Sequence, residues 1–212
     1  MVEGAYDGFP PWFFDRIDSS DDREFYEPAR LVTHIDDDAI RAVGELYREL
    51  GIGAPTAPRV IDLMASWISH FVEAPGWLTV LGMNALELTN NTAASERVVH
   101  DLNVDPRLPF ADASFDAATC CVSVDYLTRP IEVFDDVARV VRAGGMFVCT
   151  FSNRCFPTKA ITGWLSTDDD RHCALVREYF RRASGWEEPT VERRATAGDP
   201  LFALWARRME RD

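Results

Sequence analysis

Short apolar runs alternate with amphipathic segments from residue 59 to the end of the chain. The runs are rich in β-branched residues, as is typical of buried parallel strands. The predicted strands are 59–65, 77–84, 96–103, 116–127 and 146–153, and a closing antiparallel hairpin is predicted over 190–208. Strands separated by helical patterns predict parallel βαβ units with right-handed crossovers. The sequence therefore predicts a doubly wound, Rossmann-like α/β fold with a mostly parallel sheet of about seven strands, in which strand one lies between strands two and four.

Helices are predicted between these strands from the apolar spacing and from start and stop residues. Acidic residues at 36–38 form the first turn of one helix, and Gly51 ends it. Pro130 lies near the start of a later helix, where its missing N–H costs nothing. The predicted helices are 33–51, 66–75, 85–96, 130–145 and 171–185, and Ser66 is expected to cap the second.

The first part of the chain, residues 1–50, is predicted to be a cap segment followed by a helix, and residues 51–212 the α/β domain. Aromatic side chains are concentrated between residues 9 and 34, whereas disordered tails are poor in aromatics. We expect this segment to pack across the carboxyl ends of strands one, four and five, near Tyr126 and Asn153, and to exclude water there. The alternative is that it wraps the back of the sheet and adds stability alone.

Composition and charge exclude several classes of protein. A net charge of −13 argues against a nucleic-acid partner, because phosphate binding needs clustered Lys and Arg. No apolar run is long enough for a membrane span, and no secretory signal is recognisable, so a cytoplasmic location is expected. The five cysteines are odd in number and lack the Cys-x-x-Cys spacing of a metal site, so neither a disulfide framework nor a metal centre is predicted.

A series of short motifs follows the predicted strands in order. Strand one ends in an acidic residue, strand two in a polar residue and strand three in Asp-Leu-Asn. Leu-Pro-Phe, Ser-Phe-Asp and Arg-Ala-Gly-Gly come next. These motifs stand at 62, 84, 101–103, 108–110, 114–116 and 142–145. Together they resemble the class I S-adenosylmethionine-dependent methyltransferases, in particular the methyltransferase type 11 group, over about residues 59–152. The segments DLM-small-SW-x-SH and SNRCFPTK also look like those of a group of uncharacterised methyltransferase-like proteins.

The resemblance implies S-adenosylmethionine as the cofactor, bound outside the carboxyl ends of the strands. Asp62 would then serve the methionyl end, and Asp101 and the Leu102 backbone would serve the adenine. Asn84 would replace the usual carboxylate at the ribose, so Asn84→Asp is expected to be tolerated. Taken singly, Asp62 fits a helix cap and Asp101 a strand-end turn equally well. The implied cofactor residues are Asp62, Met64, Ala65, Ser66, Asn84, Asp101, Leu102 and Cys121.

The loop after strand one departs from the family pattern. The family's loop is usually glycine-rich, because only glycine lets the backbone approach the ligand closely. Residues 63–67 contain no glycine; Ala65 and Ser66 are small, whereas Trp67 is bulky enough either to line or to block a pocket. The same absence removes the G-x-G-x-x-G expected of a nicotinamide dehydrogenase.

Residues after strands four and five are the candidates for handling a methyl acceptor. Methyl transfer is an in-line displacement in which the protein mainly orients the reactants and excludes water. The candidate catalytic residues are Tyr126, Asn153 and Arg154: Tyr126 either orients an acceptor or packs in the core, and Arg154 either holds an anionic group or is a solvated loop residue. Three other side chains are expected to be structural. His70 is expected to pack or cap and Cys155 to be an inert thiol. His34 is expected at the surface, with the alternative that it leans over the site if its segment is a lid.

Two functions from different classes remain open at this stage. The first is methyl transfer to a small molecule, with residues 1–50 and 153–190 shaping the acceptor pocket in a monomer or homodimer. The second is a methyltransferase fold that has lost catalysis and acts as a binding or scaffolding module, as the glycine-free loop would allow. Binding of S-adenosylmethionine or its demethylated product separates the two.

Overall fold

A seven-stranded sheet forms the centre of the protein. The computed structural model describes residues 4–54, 59–195 and 198–210. The strand order is β3-β2-β1-β4-β5-β7-β6, with β7 antiparallel to both of its neighbours and all other pairs parallel. The strands are β1 Arg59–Leu63, β2 Trp77–Gly82, β3 Glu96–Val99, β4 Phe115–Cys121, β5 Val141–Phe151, β6 Thr190–Ala195 and β7 Leu201–Arg207. The predicted fold, with β1 between β2 and β4 and a closing antiparallel hairpin, is confirmed.

Six α-helices accompany the sheet in the described part of the chain. They are α1 Asp22–Tyr26, α2 Asp37–Glu49, α3 Ala85–Asn90, α4 Pro130–Val140, α5 Thr162–Leu165 and α6 Asp169–Arg182. The start of α2 is as the sequence predicts: the Asp36 carboxylate accepts a hydrogen bond from the Ala39 N–H, a standard N-cap arrangement. None of these helices is long and apolar enough to cross a membrane.

The two faces of the sheet bury two separate cores, because successive side chains of a strand point to opposite sides. On one face, Ile61, Leu63 and Phe147 pack with residues of α4 and α6. On the other, Val60 and Val80 pack with residues of α2 and α3. The sheet is therefore covered on both sides, which leaves its strand ends as the place for a ligand.

The helix predicted over 66–75 does not form. The Asn91 side-chain amide donates to the Ser66 carbonyl oxygen at 3.1 Å and to the Ser69 hydroxyl at 2.8 Å. His70 has a φ of 54°, which an α-helix cannot include. A β-carbon at Gly44 of α2 would lie 2.9 Å from the His70 carbonyl oxygen, so this segment lies directly on α2. Tertiary contacts thus override the local pattern that predicted a helix.

Predicted boundaries also move, as two examples show. Strand β3 ends at Val99 rather than at residue 103, because the Asp101 carboxylate accepts hydrogen bonds from the N–H groups of Asn103 and Val104 and forms a turn. Helix α4 ends at Val140, and residues 141–145, predicted as its last turn, begin β5 instead.

The N-terminal segment follows two faces of the molecule in succession. Its first half packs against the core on the α4 and α6 side: the Tyr6 hydroxyl donates to the Glu132 carboxylate, and the Phe14 ring lies 6.3 Å from that of Tyr179. The Phe13 carbonyl then accepts a hydrogen bond from the Gly163 N–H at 2.8 Å. The aromatic cluster of residues 6–14 therefore lies at the back of the sheet and not at the strand ends.

The second half of this segment, residues 19–34, crosses the strand ends, and we call it the strap. Before it, the Asp18 N–H donates to the Thr158 carbonyl at 2.8 Å; after it, Asp36 and Asp199 exchange backbone-to-carboxylate hydrogen bonds of 3.0 and 2.7 Å. Both ends of the strap are thus fixed to the α/β domain. The two alternatives considered for residues 9–34 each describe one half of that segment.

Candidate functional site

A cavity of about 460 Å³ lies at the carboxyl ends of β1 to β5, under the strap. Its wall contains residues from the loops that follow all five strands, and the strap contributes Asp22, Tyr26, Arg30 and His34. All eleven residues predicted to bind the cofactor or to act on the acceptor line this cavity. They are Asp62, Met64, Ala65, Ser66, Asn84, Asp101, Leu102, Cys121, Tyr126, Asn153 and Arg154.

The loop after β1 keeps a glycine-like backbone without containing glycine. Met64, at the position of the family's first glycine, has a φ of 54°, in the left-handed region that glycine favours. The loop backbone instead packs closely against β2, where Gly82 has no β-carbon to prevent the contact. A β-carbon at Gly82 would lie 2.1 Å from the Ala65 carbonyl oxygen. The loop is therefore open to a ligand at Ala65 and Ser66, and Trp67 lines the cavity wall.

Asp62, at the end of β1, is a buried carboxylate on the cavity wall. Its Oδ1 accepts a hydrogen bond of 2.8 Å from the Thr119 hydroxyl on β4. Burial raises the pKa of Asp62 to about 6, and hydrogen bonds from Ser69 and Thr119 only partly offset that rise. Asp62 therefore belongs to the sheet, and no helix N-terminus is present for it to cap.

The side-chain amide of Asn84, which the sequence placed at the cofactor ribose, is bonded to the strap instead. Its Oδ1 accepts from the Leu86 and Glu87 N–H groups at 2.9 and 3.0 Å and so caps α3. Its Nδ2 donates to the carbonyl oxygens of Tyr26 and Glu27 at 2.8 and 3.0 Å. Both donor positions and the acceptor atom are in use, which leaves this amide little capacity for a ligand.

Glu87 is a second polar group at this corner of the cavity. Its carboxylate is 8% exposed and accepts from the Arg30 N–H at 2.7 Å and from the Ser66 hydroxyl at 2.6 Å. The Trp67 indole N–H donates to the Val32 carbonyl at 3.0 Å nearby. The loop after β1, helix α3 and the strap are therefore joined by hydrogen bonds along one wall.

Asp101 and Leu102 lie after β3 and also line the cavity. Only Oδ1 of Asp101 takes part in the turn with Asn103 and Val104, at 2.9 and 3.3 Å. Leu102 is buried. Asn103 connects this turn to its surroundings, because its Nδ2 donates to Asp22 on the strap at 3.1 Å and to the Tyr126 carbonyl at 3.0 Å.

Tyr126 is fixed in place above the end of β4. Its hydroxyl accepts a hydrogen bond from the Phe156 N–H at 2.8 Å, and the two rings stack with centroids 5.9 Å apart. Burial, followed by the nearby Asp125 carboxylate, raises the pKa of Tyr126 far above its usual value, so the phenol stays protonated. Cys121 lies on the wall below it, and burial raises the pKa of that thiol to about 12.

The residues after β5 form the remaining wall. Arg154 is largely exposed, and its guanidinium lies 3.8 Å from the Asp199 carboxylate. Burial raises the pKa of the Cys155 thiol, as expected for an unreactive cysteine. Asn153 and Arg154 thus line the cavity near its edge, on the same side as Tyr126.

A single buried lysine holds the start of the strap. Lys159, the only lysine of the chain, is fully buried and lies 3.1 Å from carboxylate oxygens of both Asp18 and Asp22. Its ammonium also donates to the Ser20 carbonyl at 3.1 Å. Nη1 of Arg16 lies 2.8 and 2.7 Å from the two carboxylate oxygens of Asp22. This charge network closes the end of the cavity beneath Tyr26.

Several residues of the site were not found from the sequence. Asp22, Arg30 and Glu87 gave no signal beyond their charge, because their roles depend on where the strap lies. His70 was expected to pack or cap, but it lines the cavity. His34 also lines it, which agrees with the alternative that it leans over the site and not with the favoured surface position. The SNRCFPTK segment contained the only available clue, since it holds both the cavity wall at 153–157 and Lys159.

Comparisons with known proteins agree with this architecture. Residues 72–149 match the family of the methyltransferase domain. The chain resembles class I S-adenosylmethionine-dependent methyltransferases in both sequence and fold. The predicted family resemblance is confirmed, and the glycine-free residues 63–67 lie before the matched region.

Relatives and neighbouring structures show how far this similarity extends. The demethylmenaquinone methyltransferase of Mycobacterium sp. (strain KMS) is 36% identical over 122 residues, which cover 54% of this chain and 51% of the relative. The chain thus spans about half the length of the curated relatives it matches. Geranyl diphosphate C-methyltransferase from Streptomyces coelicolor A3(2), in a complex with Mg2+, geranyl diphosphate and S-adenosyl-L-homocysteine, superposes with a TM-score of 0.53 at 14% identity, covering 78% of this chain and 76% of that one. The [4+2]-cyclase SpnF superposes with a TM-score of 0.58 at 12% identity, covering 86% and 89%.

Proposed function

We propose that the protein binds S-adenosylmethionine in the cavity under the strap and transfers its methyl group to a small molecule. The observation that carries this proposal is the arrangement of Asp62, Ser66, Asp101 and Leu102 around one cavity, at the sheet edge where α/β folds bind ligands. The family match supports it, as does a fold neighbour whose structure contains bound S-adenosyl-L-homocysteine.

The donor and acceptor groups of the cavity fit this cofactor. S-adenosylmethionine presents an ammonium, two ribose hydroxyls and an adenine amino group, all of which donate hydrogen bonds. Three acidic residues of the domain line the cavity, Asp62, Glu87 and Asp101. Carboxylates also favour a cationic sulfonium nearby. When bound, the cofactor would supply the methyl group, and these side chains would hold and orient it.

The acceptor is expected near Tyr126, Asn153 and Arg154. The protonated phenol of Tyr126, fixed by the Phe156 N–H, is suited to orienting an acceptor and not to removing its proton. The strap then acts as a lid that excludes water during transfer. The name of the Mycobacterium relatives, demethylmenaquinone methyltransferases, supports a small-molecule acceptor.

A second function remains supported by two observations. Met64 occupies the position of a glycine in the loop after β1, and one fold neighbour is named a [4+2]-cyclase and not a methyltransferase. A methyltransferase fold that binds a ligand without transferring a methyl group therefore stays the alternative.

Calorimetric titration tests both functions. We expect S-adenosylhomocysteine, the demethylated product, to bind the full-length protein at one site. Mass-spectrometric screening of small acceptors with S-adenosylmethionine then separates transfer from binding alone. A folded protein that binds neither nucleoside contradicts the proposed cofactor.

A further inference from the structure

One side chain of the cavity wall has a buried polar atom with no hydrogen-bond partner among the described residues. Buried side-chain nitrogen and oxygen atoms are nearly always hydrogen-bonded in native structures. Seven side chains of the described residues contain an exception, and only His70, through its Nδ1, also lines the cavity. An unsatisfied ring nitrogen in a side chain that lines a cavity points to a hydrogen bond that a bound ligand completes.

Two cationic or potentially cationic side chains of the strap lie in the same region. His34 interacts electrostatically with both His70 and Arg30, and all three line the cavity. The Arg30 guanidinium donates to the carbonyl oxygens of Phe25 and Pro28 at 2.8 and 3.3 Å. No carboxylate of the described residues forms an ion pair with it.

The acidic group nearest to this set is already engaged. Glu87 on α3 interacts with His34, but its two oxygens accept hydrogen bonds from the Arg30 N–H and the Ser66 hydroxyl. Burial, and then His34, lowers the pKa of His70 to about 4. Burial also lowers the pKa of His34, with Glu87 opposing and Arg30 adding to that shift. Both imidazoles are therefore neutral at neutral pH, beside a guanidinium that has no carboxylate partner among the described residues.

We propose that His70, His34 and Arg30 form a subsite for the carboxylate group of a bound small molecule. A carboxylate would form an ion pair with the Arg30 guanidinium and accept a hydrogen bond from the unpartnered His70 nitrogen. This proposal rests on the proposed function, because that function supplies two molecules that could bring a carboxylate to the subsite. One is the methionyl carboxylate of the cofactor, and the other is a carboxylate on the acceptor.

Carboxylate binding at this subsite is coupled to proton uptake. An anion beside a neutral imidazole favours its protonated form and raises its pKa. Binding then takes up protons in the pH range above about 4, where the free His70 is neutral. Affinity for the carboxylate is greatest in acid and falls as pH rises, by up to about tenfold per pH unit where one proton is taken up.

The test is calorimetry of the full-length protein in buffers of different ionisation enthalpy, with three probes. S-adenosylhomocysteine contains the methionyl carboxylate, 5′-methylthioadenosine is the same thioether nucleoside without it, and benzoate is an isolated carboxylate. If the cofactor is the source, S-adenosylhomocysteine binds with proton uptake and 5′-methylthioadenosine without it. If the acceptor is the source, both nucleosides bind alike and benzoate added to the S-adenosylhomocysteine complex binds with proton uptake.

Two variants connect the result to these residues. His70→Asn suits a φ of 54°, since asparagine tolerates the left-handed region, and Arg30→Gln removes the charge. Each variant should weaken binding of the carboxylate-bearing probe about tenfold or more, while the affinity for 5′-methylthioadenosine stays within about twofold of the wild type. His100→Asn is the matched control, because His100 also lines the cavity but its Nε2 is bonded to the Asp105 carbonyl at 2.7 Å.

The outcomes separate this inference from the proposed function. Absence of proton uptake with both carboxylate probes overturns the subsite, as does equal weakening of S-adenosylhomocysteine and 5′-methylthioadenosine by the variants without an effect on benzoate. If neither nucleoside binds, the proposed cofactor is wrong. Benzoate titrated into the free protein then still decides whether the carboxylate subsite exists.

Discussion

Asp125 should make the protein less stable as pH rises from mildly acidic to mildly alkaline. It lies in the 3₁₀ turn Val124–Tyr126 after β4, is 3% exposed, and its Oδ2 has no hydrogen-bond partner. Burial raises the pKa of Asp125 to about 8, and hydrogen bonds to its own backbone and Tyr126 only partly offset this. The folded state therefore keeps a proton that the unfolded state has released since about pH 4.

The sign and size of the effect follow from linkage. Because the pKa is higher in the folded state, the stabilisation is complete below the unfolded pKa and is lost as pH rises through the folded pKa. The slope is about 1.4 kcal/mol per pH unit, so between about pH 6.5 and pH 8 the loss is about 1.5 kcal/mol. In this window Asp62, with a pKa of about 6, is mostly ionised, and His34 and His70, whose pKa values are lowered, are neutral.

Urea unfolding of the wild type and of Asp125→Asn at both pH values measures this contribution. We expect the wild type to lose about 1.5 kcal/mol more than the variant between the two conditions. Asp18→Asn is the matched control: hydrogen bonds from Ser20 lower the pKa of Asp18 to about 2, so this carboxylate stays ionised throughout. Equal pH dependence in the wild type and Asp125→Asn would refute the assignment of a raised pKa to Asp125.

Three further substitutions test the site. Asp101→Ala should weaken S-adenosylhomocysteine binding by roughly 1–3 kcal/mol, measured by calorimetry, whereas unchanged affinity would place the adenine elsewhere. Asn84→Asp, expected from the sequence to be tolerated, should instead speed hydrogen exchange in the strap, because a carboxylate would face the Tyr26 and Glu27 carbonyl oxygens; unaltered exchange would contradict this. Lys159→Met should lower the free energy of unfolding, measured in urea, by about 3–5 kcal/mol, because it removes one partner of a buried charge network. The ion pair of Arg142 with Asp116, by comparison, should contribute under about 1 kcal/mol.

The sheet and the positions of the strand-end residues could be predicted because they depend on local patterns. Apolar runs set the strands, and the order of the motifs put Asp62 and Asp101 at one edge. Asp101 was also open to interpretation as a turn residue, and the structure shows that one carboxylate oxygen forms the turn while the residue lines the cavity. The two interpretations are compatible for this residue.

The rest depends on contacts between distant segments, which one sequence does not reveal. The helix predicted at 66–75 is prevented by Asn91 and by the close approach of Gly44 on α2. Asn84 was assigned to a ribose, because nothing in its neighbourhood indicates that residues 26 and 27 return to it. His70 was expected to pack or cap, because its exposure to the cavity follows from a positive φ that histidine rarely adopts.

The reactivity of Lys159 toward an amine reagent reports whether the strap is in place. Its ammonium is fully enclosed by residues 18–22, and the chain has no other lysine side chain. An amine-specific acylating reagent can therefore modify a lysine side chain in this protein only after the strap has moved away from residue 159. The rate of acylation at this one position, followed by mass spectrometry, would count strap openings directly, without a probe attached to the strap itself.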